Sequence, residues 1–161
     1  MVENSKNLLI KLIFLISVIA LVSAFFIEYV LGHQPCNLCI LERIPYLLAI
    51  IIILLNFKFS HYEKFFILLL SIIFLAGAII SLYHLGIEQG FIQESLVCDL
   101  KSGSNLLSKE EILKQLQEKN VSCKDVTFKI FGLSLTSYNV LISFIISISA
   151  GRIYFNYDKN K

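Results

Sequence analysis

The chain has 161 residues, of which 57% are hydrophobic and 16% charged, and its mean hydropathy of +0.76 excludes an ordinary soluble domain. A formal net charge of +2, with no block of Lys and Arg, excludes a surface built to neutralise a nucleic-acid backbone. The apolar residues gather into four blocks separated by polar segments, so the expected solvent is a lipid bilayer.

Taken in chain order, the first block runs over residues 12–27, 16 residues between Lys11 and Glu28, and predicts a transmembrane helix over about 9–30. The second, residues 44–57, is only 14 residues between Arg43 and Lys58. Since about 20 helical residues cross a bilayer, a helix over about 41–58 places these cations in the interface, their alkyl stems lying along the helix. Pro45 suits its first turn, where a missing N–H has no partner to lose. The third and fourth blocks, residues 65–87 and 130–151, are 23 and 22 residues free of Asp, Glu, Lys and Arg, and predict helices over about 65–86 and 130–151. Tyr29, Tyr46, Tyr62, Tyr83 and Tyr154 near the block ends read as an interfacial belt in a chain without Trp.

The expected fold is therefore an all-α membrane protein, one integral domain over 1–161, built as a four-transmembrane-helix bundle with two loops on one side, about 31–43 and 87–129. Ser108, followed by Glu111 and then by Ile112, Leu113 and Leu116, reads as a capping box opening a short amphipathic helix over about 109–118 in the longer loop. Lys and Arg number seven on each side. They are denser in the two tails and the short loop between the second and third blocks, which places both termini in the cytoplasm.

All four cysteines lie in the two outer loops, Cys36 and Cys39 in the first and Cys98 and Cys123 in the second. That is the side on which disulfides persist. Cys36-Asn37-Leu38-Cys39 is a C-x-x-C, a spacing suited to exchange rather than stapling. Cys39 falls just before the second span, where helix N–H groups and Arg43 are expected to favour its thiolate at the level where head groups meet acyl chains. A lipid-soluble electron acceptor meets a thiolate at that depth.

Other readings compete. Cys98 and Cys123 as a structural staple would contribute about 3–4 kcal/mol in the loop-entropy picture. Zinc fits the 2- and 24-residue gaps poorly, so no metal is expected. Two inert disulfides would make the chain a four-span scaffold. Four cysteines allow three complete pairings, and the residues alone leave the pairing open. Glu28, His84 and Glu88 share the depth of Cys39 and Arg43, and His84 is a candidate proton carrier.

The stretch Pro35-Cys36-Asn37-Leu38-Cys39-Ile40-Leu41-Glu42-Arg43, the later Cys98 and Cys123, and Tyr83-His84-Leu85-Gly86-Ile87-Glu88-Gln89 resemble the disulfide bond formation protein B (DsbB) family over nearly the whole chain. The resemblance implies a thiol:quinone oxidoreductase of the bacterial inner membrane, with the cysteine loops in the periplasm. It implies that Cys98 and Cys123 take electrons from a reduced DsbA-type thioredoxin-fold oxidase, with Cys98 forming the mixed disulfide. Cys123 then exchanges with Cys36, and Cys39 passes the electrons to a membrane quinone, ubiquinone or menaquinone, held with help from Arg43 and His84.

Overall fold

The structure, a computed structural model, describes residues 2–93, 98, 122–124, 129–130 and 132–157. The helices are α1 (Val2–Tyr29), α2 (Asn37–Leu41), α3 (Ile44–Lys58), α4 (Glu63–Glu88) and α5 (Leu135–Asn156), with one 3-10 turn, Ser60–Tyr62, between α3 and α4. Four stretches among the described residues, Lys6–Tyr29, Asn37–Lys58, Glu63–Glu88 and Leu135–Asn156, are long and apolar enough to cross a membrane. This is a multi-pass membrane protein. The amphipathic helix expected over 109–118 lies outside the described residues.

The short second block reaches bilayer length by adding α2 to α3. Pro45 near the start of α3 has no N–H to donate, and its ring excludes a regular turn behind it. The chain accordingly tightens between the two helices, where the Arg43 N–H donates to the Ile40 carbonyl, three residues back, at 3.1 Å. The last span starts later than the hydropathy suggests. Two short strands, β1 (Lys129–Ile130) and β2 (Leu133–Ser134), form a small antiparallel ladder, paired Lys129 to Ser134 and Ile130 to Leu133. Gly132 turns between them at φ +83°, a conformation open chiefly to glycine. Ser134 then caps α5, its hydroxyl accepting the Ser137 N–H at 3.3 Å.

The core joins all four spans through Ile10, Ile13, Tyr46, Ala49, Ile53, Leu70, Phe74 and Ile146. Leu15, Ile19, Leu54, Ile72, Ile79 and Ile145 face outward, an apolar exterior that only lipid makes inexpensive. Helices α4 and α5 pack along most of their length on small residues. Ser71 Oγ donates to the Ser147 carbonyl at 3.0 Å, and Ser147 Oγ donates back to the Ser71 carbonyl at 2.9 Å. A Cβ on Gly77 would meet Pro45 Cγ at 2.9 Å, so glycine is what lets α3 approach α4. At the end away from the cysteines, Lys6 Nζ pairs with Glu63 at 2.7 Å.

Candidate functional site

The C-x-x-C forms the first turn of α2. Cys36 is the N-cap in extended backbone, and its sulfur accepts the Cys39 N–H at 3.2 Å. This corrects the expectation that helix-terminal N–H groups favour the Cys39 thiolate. The helix begins at Asn37, four residues before the expected start near 41, so the capping sulfur is that of Cys36. The Cys36 thiol is held well below its ordinary value of 9.0, at about 5. The hydrogen bond from the Cys39 thiol is the largest cause; burial opposes it, and the hydrogen bond and charge of His84 add to the lowering.

His84 is 1% exposed, one turn before the end of α4. Its Nε2 lies 3.6 Å from Cys36 Sγ and its Nδ1 lies 2.7 Å from Glu42 Oε1, an arrangement that holds the ring between a thiol and a carboxylate. Glu42 is itself fixed from α5, since Asn139 Nδ2 donates to its Oε2 at 2.9 Å. Asn139 also donates to Ser81 Oγ at 2.7 Å, accepts from Ser143 Oγ at 3.3 Å and accepts from the Tyr46 hydroxyl. Tyr46, expected in the interfacial belt, is instead buried at the centre of this network.

Cys98 and Cys123 are joined as a disulfide, while Cys36 and Cys39 are free thiols. The two pairs share one cluster, in which Cys36, Leu38, Ile87 and Cys123 are buried with Cys39, Tyr83 and Cys98 packed against them. Asn37, inside the C-x-x-C, donates from Nδ2 to the Cys98 carbonyl at 3.1 Å. Arg43 points to α1, where its Nη1 meets Glu28 Oε2 at 2.5 Å and its guanidinium covers the Phe25 ring at 5.4 Å.

These residues enclose a cavity of about 260 Å³. Its lining combines the apolar Ala20, Leu21, Ala24 and Ile27 of α1 and Ile142 of α5 with Cys36, Cys39, Arg43, His84, Glu88 and Cys123. Five of the six site residues named from the sequence line this space, and Cys98 is reached through its bond to Cys123. Sequence reasoning missed Glu42, Thr136 and Asn139. A signal for the last two was present, because Thr136, Asn139, Ser143 and Ser147 recur at helical spacing through an apolar span. The donor atoms of Cys36, Cys39 and His84 lie within 4.8 Å of one another, close enough for a thiophilic cation as well as for exchange chemistry.

The family model described as disulfide bond formation protein DsbB matches residues 6–152. The chain belongs to the DsbB family. It is 35% identical over 151 residues to an uncharacterized protein of Rickettsia prowazekii (strain Madrid E), covering 91% of this chain and 86% of that one. It is 28% identical over 160 residues to disulfide bond formation protein B of Nitrosomonas europaea, covering 89% of this chain and 93% of that protein. No solved structure matches the chain. Membership places it in the machinery of disulfide formation, with an oxidoreductase role there.

Proposed function

We propose that the protein is a thiol:quinone oxidoreductase that reoxidises a DsbA-type thioredoxin-fold protein. The observation that carries this reading is the packing of both cysteine pairs at one cavity whose lining joins apolar side chains of α1 and α5 to the reactive sulfurs. A scaffold stapled by two inert disulfides has no use for a free, acidified Cys36 thiol held against His84.

In the relay, a partner thiolate attacks Cys98 and displaces Cys123, and a second partner thiolate releases Cys98 with the partner's new disulfide. The Cys123 thiolate attacks Cys36 of the Cys36/Cys39 disulfide, which lies in the same buried cluster, and frees Cys39; Cys98 then attacks Cys123, re-forming their bond and freeing Cys36. The free Cys36 and Cys39 thiols beside an intact Cys98–Cys123 bond correspond to the stage that follows, with the electron pair on the C-x-x-C. A quinone bound in the cavity supplies the two-electron sink. The lining fits such a molecule: Ala20, Ala24 and Ile142 would pack against a flat ring, and Arg43 and the carboxyl of Glu88, whose buried Oε2 has no partner among the described residues, would meet its oxygens.

The chain's own residues then do three things. Glu42 holds His84 Nδ1, which leaves Nε2 to take the Cys36 proton. Arg43, steadied by Glu28, puts a cation on the cavity wall where negative charge develops during reduction. The α1 and α5 side chains keep water from the reacting sulfurs. Both termini are assigned to the cytoplasm and the cysteine loops to the periplasm of a bacterial inner membrane, supported by the Lys/Arg density of the tails and by a disulfide at the opposite end. The test is quinone reduction by the purified, reduced protein: Cys39→Ser abolishes it, and retained turnover in that variant contradicts the proposal.

A further inference from the structure

Glu88 ends α4 with its side chain 7% exposed. Its Oε1 accepts the Thr136 hydroxyl at 2.6 Å, which fixes the carboxyl plane against α5. Its Oε2 is buried without a hydrogen-bond partner among the described residues, although Glu88 lines the cavity shared by Cys39, Arg43 and His84. A carboxyl oxygen hidden from water and unpaired is costly, and such atoms persist where a ligand completes them.

The groups around this carboxyl define a direction. On its own helix, His84 Nε2 is 3.8 Å from Oε1, and the same nitrogen is 3.6 Å from Cys36 Sγ. From α2 and the turn after it come Cys39, Glu42 on the far nitrogen of His84, and Arg43 paired with Glu28 of α1. His33, Tyr46 and Tyr138 complete the titratable lining. With Nδ1 held by Glu42, Nε2 is the nitrogen that faces both the thiol and Glu88. The 3.8 Å gap is too long for a hydrogen bond and short enough for a small side-chain rotation to close.

We propose that Glu88 is a further catalytic residue: its carboxyl hydrogen-bonds an oxygen of the quinone through Oε2, delivers that proton as the quinone is reduced, and takes its replacement from Cys36 through His84 Nε2. This rests on the quinone-reductase reading. Cys39 and the Cys36–His84 pair give up two protons, and one S–S bond forms between Cys36 and Cys39. The electron pair passes to the quinone, whose two oxygens gain the two protons. Glu88 carries one of these protons and returns to its starting state, so no further reactant is needed.

Two variants of the full chain in detergent separate binding from proton delivery. Glu88→Gln keeps an acceptor for Thr136 and a hydrogen bond toward the quinone but has no acidic proton. Its equilibrium quinone affinity stays within about threefold of native, while single-turnover quinone reduction slows by about 100-fold. Glu88→Ala removes the hydrogen bond, and its quinone Kd rises about tenfold. Thermal unfolding in detergent, followed without quinone, reports whether each variant keeps the native fold. Native-rate reduction in Glu88→Gln, or native Kd in Glu88→Ala, overturns the proposal alone. A native chain that reduces no quinone overturns the oxidoreductase reading and this inference with it.

Discussion

His84 Nε2 lies 3.6 Å from the sulfur of Cys36, although 48 residues separate the two in sequence. The contact ties the end of α4 to the first turn of α2, and Glu42 behind the ring fixes which nitrogen faces the thiol. A base, its orienting carboxylate and a nucleophile in line are the parts needed to activate a thiol. Its closeness to the second cysteine pair makes that activation useful for exchange.

The first expectation concerns pH. With its value lowered from 9.0 to about 5, Cys36 is thiolate through the neutral range, so its alkylation rate in the reduced protein rises to a plateau with a midpoint near pH 5. His84→Ala removes a hydrogen bond and a charge that favour the thiolate, and moves the midpoint upward. The same shift acts on stability. Between about pH 5 and 9 the unfolded thiol holds a proton that the folded one has lost, so the reduced fold gains stability as pH rises through that window. Its Tm therefore climbs with pH relative to that of Cys36→Ser.

Arg43 and Glu28 give a second. The pair bridges α1 to the turn between α2 and α3 at the cavity wall. Arg43→Ala raises the KM for quinone by about tenfold, the worth of one charge-assisted contact, and leaves exchange between Cys123 and Cys36 unchanged. Stopped-flow exchange and steady-state quinone kinetics read the two separately.

Asn139 joins α5 to Glu42, Tyr46 and Ser81, three side chains on other elements. Asn139→Leu strands these buried polar groups together. At roughly 0.6 kcal/mol or more for each interhelical bond, the loss sums to about 2 kcal/mol. It is measured as a lower Tm in detergent, and slower exchange at Cys36 accompanies it because Glu42 no longer holds His84 in place.

Gly77 supplies a purely packing prediction. Gly77→Ala brings a Cβ to 2.9 Å from Pro45 Cγ, and a proline ring cannot swing aside. Helices α3 and α4 must separate, at a cost of about 1–3 kcal/mol. Thermal unfolding checks it, with Gly90→Ala as a contrasting variant whose penalty comes from φ +77° rather than from a neighbour.

The number of spans and the gathering of cysteines at one end were legible because both rest on long-range composition, which tolerates small errors in boundaries. The site was legible in part. Cys36, Cys39, Arg43 and His84 carry chemistry that marks them in any context, whereas Glu42 and Asn139 acquire meaning only when α2 and α5 meet. The roles within the C-x-x-C depended on where a helix starts, to within four residues, and hydropathy does not resolve that. Residues 130–134 look like the beginning of a span by charge spacing alone, but the turn at Gly132 and the Ser134 cap delay the helix. The capping box beginning at Ser108 falls outside the described residues.

The most direct test of the relay is quinone-dependent oxidation of a reduced DsbA-type protein by the purified chain in detergent, with the native chain compared against Cys36→Ser and Cys98→Ser. Electron flow through both cysteine pairs predicts multiple turnovers in the native chain and none in either variant. Undiminished turnover in Cys36→Ser or Cys98→Ser, or a native chain that leaves a competent partner reduced in the presence of quinone, would contradict it.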